Sequence, residues 1–310
     1  MSNNRRAAGH PAPDSRQLDC FREVMATGSI RAAAEALNVE PSVVSRHIAR
    51  LAADLGVTLF ERRGRGVVAT EEARIVLGYC RERTASDDML RSRLDELRGL
   101  KRGTLYVMAG DGFAEAVMDR LLAAFCRRYP GIDVTLRAGG ARDIVRAIAD
   151  DDCHIGFTLS APPHASVRVF RERPRPLRLV AKAGHPIAAL REPVRLSALS
   201  SHAVALAMPG AGLHALVQAA AEREGVTISA SFTADRAATL RRYALAGLGV
   251  TFLSERMIAR DIAQGTLVAR RTTSKVLENS RAQVLVRAGR TLSAPLHALL
   301  ADVELIDAVI

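Results

Sequence analysis

Bulky apolar residues recur at helical spacing along the first part of the chain. Over residues 16–27, Leu18, Phe21, Val24 and Met25 share one face, and Gly28 follows where a left-handed residue closes a helix. Ser29 suits an N-cap, with Ile30, Ala33, Ala34 and Leu37 inward over about two turns and Asn38 to close them. Pro41 fits the first position of a third helix, because its missing N–H would be unpaired there anyway. Val44, Ile48, Leu51 and Leu55 then form its buried stripe, and Gly56 stops it.

The third helix spends its other face on Ser42, Ser45, Arg46, His47 and Arg50. Two short helices joined by a tight turn make a helix-turn-helix, in which such side chains reach base edges and phosphates and Val43 offers apolar contact to a thymine methyl. A helical hairpin with a solvated basic face fits the same spacing. The next stretch, VTLFERRGRGVVAT, separates the two. Short β-type runs at Val57 to Phe60 and Val67 to Val68 flank a basic tip, Arg62-Arg63-Gly64-Arg65-Gly66, which is a wing suited to the minor groove.

From Thr70, a further N-cap candidate, to Leu100 no proline interrupts a helical segment. Ile75, Tyr79, Leu90, Leu94 and Leu97 approximate a coiled-coil seam around a polar middle, RERTASDD, which a solvated connector would also explain. Beyond Lys101-Arg102-Gly103 the pattern alternates between strand and helix, predicting open sheets with flanking helices. Strands are expected at Thr104 to Ala109, Ile132 to Leu136, His154 to Leu159, Leu177 to Lys182, Val204 to Ala207, Thr227 to Phe232, Val250 to Leu253 and Ala282 to Val286. Phe113, Val117, Leu121 and Phe125 mark one helix, and Ile144 with Ile148 another.

Composition sharpens this picture only in part. A chain of 310 residues with 48% apolar content can fill two or more domain cores. Its net charge of +11 points to a polyanionic partner, although a bias to Arg, with Lys only at 101, 182 and 275, accounts for the charge equally well. Cys20, Cys80, Cys126 and Cys153 lack C-x-x-C spacing, so neither a zinc ribbon nor a disulfide framework is expected, and a reduced, cytoplasmic compartment fits. Residues 1–14 read as a loose tail without an apolar h-region, and no run approaches ~18 apolar residues, so neither a signal peptide nor a membrane span is expected. Gly247-Leu248-Gly249 follows a helix rather than a strand, adjacent residues from Asp150 to His154 point to alternating sides, and no G-x-S-x-G elbow occurs. No enzyme chemistry, metal or cofactor is implied.

Residues 16–77 resemble the winged helix-turn-helix of LysR-type transcriptional regulators, through GSIRAAAEALNV, PSVVSRHIARLAADLGVTLFER and GRGVVATEEA in that order. The resemblance implies that Ser29 contacts phosphate, that Pro41, Ser42, Val43, Ser45 and Arg46 sit where the family reads DNA, and that Arg63 and Arg65 lie in the wing. Glu40 departs from the usual Ser or Thr cap and Pro41 from a frequent Gln, which leaves open the bases read. The segment after Thr70 corresponds to the family's linker helix, which pairs two subunits. AAFCRRYPGIDVTL, HIGFTL, LVAKAGHPIA, AGLGVTFLSERMI and QVLVRAGRTLSAPLHALL resemble its effector-binding domain, built of two α/β lobes like periplasmic binding proteins, with the chain crossing between them twice.

The expected organisation is a tail (1–14), a DNA-binding domain (15–70), a linker helix (71–102) and an effector domain (103–310), with lobe one at 103–177 and 284–310 and lobe two at 178–283. Ligands of open α/β sheets bind at strand C-terminal ends, where helix N–H groups hold anions. Those ends are Gly110, Asp111, Gly112, Gly139, Thr158 and Ser160 in lobe one, and Pro209, Gly210, Ala211, Thr233 and Asp235 in lobe two. Asp111 either caps the first helix or signals an effector that is not a simple anion. The expected partners are promoter DNA, a small-molecule effector and further copies of the chain, as homodimer or homotetramer, with no membrane. A solute-binding module without a role in transcription is the other class, and the winged helix argues against it.

Overall fold

Punctuating residues set the helices of the N-terminal part. The computed structural model describes residues 13–63, 66–97, 102–289 and 292–310, with the side chains at 85, 88, 89, 91–93 and 95–97 left aside. It divides into two units, Met1–Asp88 and Met89–Ile310. In the first, α1 (Ser15–Thr27), α2 (Ile30–Leu37) and α3 (Pro41–Leu55) enclose a core of Phe21, Val24, Ala33, Val44, Leu51 and Leu59. Asp14 heads α1 in a reciprocal capping box with Gln17. It therefore belongs to the folded unit rather than to the tail, whose residues 1–12 lie outside those described. Ser29 Oγ accepts from Ala32 N at 3.4 Å, and Asn38 closes α2 at φ 54°. Glu40, by contrast, makes no side-chain bond to α3.

The wing is β1 (Phe60–Arg63) paired antiparallel with β2 (Gly66–Ala69), Arg63 opposite Gly66. The first strand starts later than the run from Val57 suggests because Leu59, only 1% exposed, is drawn into the helical core. Arg62 and Arg63 belong to the strand rather than the tip, and residues 64–65 lie outside those described. Val67 N donates to Gly28 O at 3.1 Å, tying the wing to the turn between α1 and α2. Thr70 caps α4 (Glu71–Leu97) by accepting from Ala73 N at 3.1 Å; residues 98–101, expected to continue it, lie outside those described.

The second unit begins with β3 (Gly103–Ala109), α5 (Asp111–Ala116), α6 (Ala123–Arg128), β4 (Ile132–Ala138), α7 (Ala141–Ala149), β5 (Ile155–Leu159) and β6 (Val167–Pro174). The rod from α5 to α6 is continuous through a π-helical stretch, Val117–Leu122. The chain then builds β7 (Leu177–Lys182), β8 (Val204–Ala207), α8 (Gly212–Glu224), β9 (Phe232–Ala234), α9 (Ala237–Leu245), β10 (Val250–Ser254), α10 (Ala259–Ala263), β11 (Leu267–Arg270) and α11 (Lys275–Glu278), before returning through β12 (Arg281–Arg287), α12 (Ala294–Leu300) and α13 (Val303–Val309).

Two five-stranded mixed sheets result, ordered β4-β3-β5-β12-β6 and β11-β7-β10-β8-β9. Helices cover both faces of each, so the central strands are apolar runs rather than alternating ones. The crossings fall at 175–176 and 279–280, so residues 281–283 belong to the first sheet and Leu177 to the second. Thr227 to Ser231 are not strand, and β9 starts only at Phe232. Strands β6 and β11, both at sheet edges, have no counterpart in the sequence expectations.

Edge strand β6 is held by charge. Arg171 donates to Asp307 of α13 from Nε at 2.9 Å and Nη2 at 2.7 Å, and Arg173 adds a third bond at 2.6 Å. Hydrogen bonding from Arg171, then from Arg173, holds the Asp307 carboxyl down at about 2. The folded-state value is depressed, so this stabilisation is complete above the ordinary carboxylate range near ~4 and is lost as pH falls through about 2. Asp307→Asn is expected to melt lower than wild type at neutral pH and to lose less Tm on acidification across that window. Parallel melting curves for the two proteins would remove Asp307 from the acid response.

Candidate functional site

On α3 the buried stripe of Val44, Ile48 and Leu51 fixes what faces outward. Pro41, Ser42, Ser45, Arg46 and Arg50 are exposed, while Val43 and His47 are half-buried beside them. Arg63 is exposed at the end of β1, and Arg65 lies outside the described residues. Arg31 is ion-paired with Glu35 at 3.4 Å, whereas among the described residues no carboxylate engages Arg46, Arg50 or Arg63. A face of free guanidinium and hydroxyl donors on a 15-residue helix, with a basic hairpin hydrogen-bonded to the same unit, has the chemistry to contact a duplex.

In the second unit, a cavity of about 400 Å³ opens between the two sheets. The strand ends gather there because each sheet presents the C-terminal ends of its parallel strands to the other: β3 into α5, β4 into α7, β8 into α8, β9 into α9. Gly110, Asp111, Gly112, Gly139 and Thr158 line it from the first sheet; Pro209, Gly210, Ala211 and Asp235 line it from the second. Helices α7 and α8 start without a side-chain cap. Their first N–H groups are open to a ligand.

Backbone meets backbone at one edge of this cavity. A Cβ at Gly140 would lie 2.4 Å from the Gly210 carbonyl oxygen, and one at Gly212 would lie 3.1 Å from Leu159 O. Gly140 has an ordinary φ of −72°, so what excludes a side chain there is the opposite lobe.

Asp111 does not cap its own helix. Its Oδ2 accepts from Ala237 N at 2.5 Å, so a carboxylate of the first lobe occupies the anion position at the N-terminus of α9 in the second. Ser160 is not a cavity residue: it turns at φ 45° and its Oγ accepts from Arg281 N at 3.1 Å, sealing the end of the β5–β12 ladder. Thr233 sits exposed on β9 opposite Leu206, away from the cavity. Residues without a sequence signal are Arg175, Leu253, Ser254 and Met257, brought in by the crossing between sheets and by the end of β10. Met257 Sδ would lie 3.3 Å from a Cβ at Gly112.

A winged helix-turn-helix followed by a two-lobed ligand-binding unit defines a DNA-binding regulator that responds to an effector. Residues 15–74 match the model of the bacterial regulatory helix-turn-helix protein, lysR family, and residues 98–304 match the LysR substrate binding domain. The chain belongs to the LysR family of transcriptional regulators and is a DNA-binding regulator with an effector-binding domain, not an enzyme. It is 26% identical over 251 residues to the HTH-type transcriptional activator CmpR of Synechocystis, covering 81% of this chain and 82% of that one. Full-length OxyR from Pseudomonas aeruginosa superposes with a TM-score of 0.68 at 17% identity, over 97% of this chain and 95% of that one. The regulatory domain of Synechocystis CcmR, in complex with 2-PG, gives 0.56 at 22% identity, over 67% of this chain and 98% of that domain. Among the described residues no helix is long and apolar enough to cross a membrane.

The backbone contact yields a test of lobe closure. Gly140→Ala must push Gly210 away, and overpacking of this kind typically costs about 1–3 kcal/mol. A lower Tm and faster hydrogen exchange at the 210–212 amides are the expected outcome. Wild-type exchange at those amides would mean that the lobes part freely without help.

Proposed function

We propose that this regulator reads operator DNA with α3 and the wing, associates with further copies of itself through α4, and responds to a small molecule in the cavity between its lobes. The observation that carries the reading is the cavity itself, into which helices from both sheets point their N-termini. A ligand bridging the two would favour one lobe arrangement by its differential affinity, which is what a switch requires. The 2-PG held by the CcmR regulatory domain supports a ligand of small size.

On DNA, the assigned contacts are Ser29 and Pro41 at the helix starts, Ser42, Val43, Ser45, Arg46, His47 and Arg50 along α3, and Arg63 and Arg65 in the wing. Ile75, Tyr79, Leu90 and Leu94 lie on one face of α4 and are exposed, Ile75 to 69% and Leu90 to 61%. So long an apolar stripe left to solvent supports pairing with a second copy, as dimer or tetramer. The side chain of Leu97, expected to extend the stripe, lies outside those described. A DNA partner supports action in the cytoplasm.

Arg46→Ala is expected to weaken operator binding by about 1–3 kcal/mol and to relax preference at one base position, read by fluorescence anisotropy on operator and scrambled duplexes. Unchanged affinity for both duplexes would take Arg46 out of the interface. Arg63→Ala should make the plot of log affinity against log salt shallower by about 0.9 if the side chain meets one phosphate. Leu90→Asp with Leu94→Asp should dissociate the oligomer in sedimentation and shorten the footprint to one half-site; an intact oligomer would place the seam elsewhere.

A further inference from the structure

We infer that the effector carries a compact oxyanion, a carboxylate or a phosphate, and that Arg175 receives it, with Thr158 and Ser254 completing the seat. The inference rests on the cavity between the lobes being the effector site.

Arg175 stands in the short connection between β6 and β7, where the chain passes from one sheet to the other. Its side chain is buried, 7% exposed, in the wall of the cavity. The other buried arginine of this unit among the described residues has acids: Arg178 pairs with Glu255 at 2.7 Å and Glu278 at 2.5 Å. Arg175 meets no side-chain carboxylate among the described residues and instead caps the C-terminal end of α13. One nitrogen, Nη2, donates to Val309 O at 3.0 Å and to Ile310 O at that end. The guanidinium plane rests over Phe113, 5.3 Å from the ring centroid.

That leaves Nε and Nη1 without an acceptor, yet they are not sealed in. Among the described residues, the side-chain atoms both sealed and unpartnered are Arg270 Nε, Arg287 Nη1 and Ser293 Oγ. The free side of the fork therefore opens on the cavity it lines. Burial, then the neighbouring Arg256, push its pKa down to about 10, so the group is still cationic at neutral pH. The negative end of α13 matches this charge on one side only, and a bound anion would engage the free edge of the fork. A guanidinium edge matches two oxygens of a carboxylate or phosphate.

Thr158 and Ser254, 2% and 4% exposed, line the same cavity. Neither hydroxyl has a partner among the described residues, and neither is sealed. Strand pairing sets Ser254 beside the crossing that carries the arginine. Ser254 lies opposite Leu177, two residues beyond Arg175. Thr158 follows Phe157, whose carbonyl accepts from Gly110 N at 2.8 Å at the head of the helix that carries Phe113. Of the acids lining the cavity, Asp111 is bound to Ala237 N at 2.5 Å at the start of α9, Asp143 pairs with Arg146 at 2.8 Å, and Asp235 is exposed. One oxyanion would join a hydroxyl of each sheet to a cation at their crossing.

The full-length protein is titrated with inorganic phosphate and, separately, with malonate, at constant ionic strength against chloride, and followed by thermal shift and calorimetry. At least one of the two should raise Tm saturably with one site per chain, and which of them does so distinguishes a phosphate seat from a carboxylate seat. Arg175→Met should abolish the shift, and Thr158→Val with Ser254→Ala should weaken binding by about tenfold or more. If Arg175→Met does not fold, Arg175→Lys retains the charge without the fork and should also weaken binding by about tenfold. No saturable shift beyond chloride, or equal shifts in wild type and the Arg175 variants, overturns the assignment. Ala211→Trp, which fills the cavity from the second lobe, separates the two layers of the reading. If uncharged compounds from a metabolite screen are the ones that bind, and Ala211→Trp blocks them, the cavity stands as the effector site and the oxyanion seat falls. Anion binding that survives both Ala211→Trp and Arg175→Met refutes the seat and takes away the support for the cavity.

Discussion

The two sheets of the second unit are joined by chain crossings that are hydrogen-bonded to each other. Arg175 N donates to Ser280 O at 2.8 Å, and Ser280 Oγ donates back to Arg175 O at 2.6 Å. The outgoing and returning strands therefore turn together, and any motion of one sheet relative to the other has to pass through this buried pair. Because β12 returns beside β6 and β5, the crossing also sets where the ends of β5 and β10 lie. The cavity, its depth and the residues at its base follow from that one join.

What lies at the other side of the cavity is held more weakly, which suits a part that has to respond. There the lobes meet through Gly140 and Gly210, Gly212 and Leu159, and the single bond from Asp111 to α9. A short carboxylate reaching a helix N-terminus is a good electrostatic match, but it is one contact against a covalent, doubly bonded crossing. On the proposed reading, the crossing would serve as the hinge and the Asp111 side as the edge that opens. The puzzle of a carboxylate at an expected anion site resolves in the same terms. Asp111 answers the positive end of a helix from the opposite lobe, and its charge is already matched before any ligand arrives.

Legibility in the sequence followed locality. The boundaries of α1, α2 and α3 are written in Gly28, Ser29, Asn38, Pro41 and Gly56, each acting within a turn of its own position. Most strands of the second unit are legible too, because sheets covered on both faces demand continuous apolar runs. Strand β6 was hidden because Arg168, Arg171 and Arg173 give it a charged profile, and the acid that justifies two of them is Asp307, 136 residues away from Arg171. Thr227 to Ser231 read as strand by composition, yet β8 offers a parallel partner only from Phe232 onward. The cavity was half legible: glycines and small residues at strand ends announce a place of close approach. Arg175, one of 44 basic residues, does not announce itself, since only the crossing tells it apart.

Helix α3 lacks a side-chain cap because Glu40 stands where a short hydroxyl would accept from the first turn. The uncapped first turn costs local stability and leaves Ser42 and Val43 beside a carboxylate that repels phosphate. The core compensates for the stability: Val44 and Leu51 are fully buried, and Gln17 of α1 donates to Asp54 of α3 at 3.0 Å. For the electrostatics, Arg46 and Arg50 on the next turns and the basic wing supply the attraction that the helix start lacks. Charge at the groove is thus distributed unevenly, negative at the tip of the helix and positive along its length and in the wing. On the proposed reading, such a distribution would favour duplexes that bring their phosphates to the length of the helix and the wing rather than to its tip, and so would constrain orientation on the DNA before any base is read.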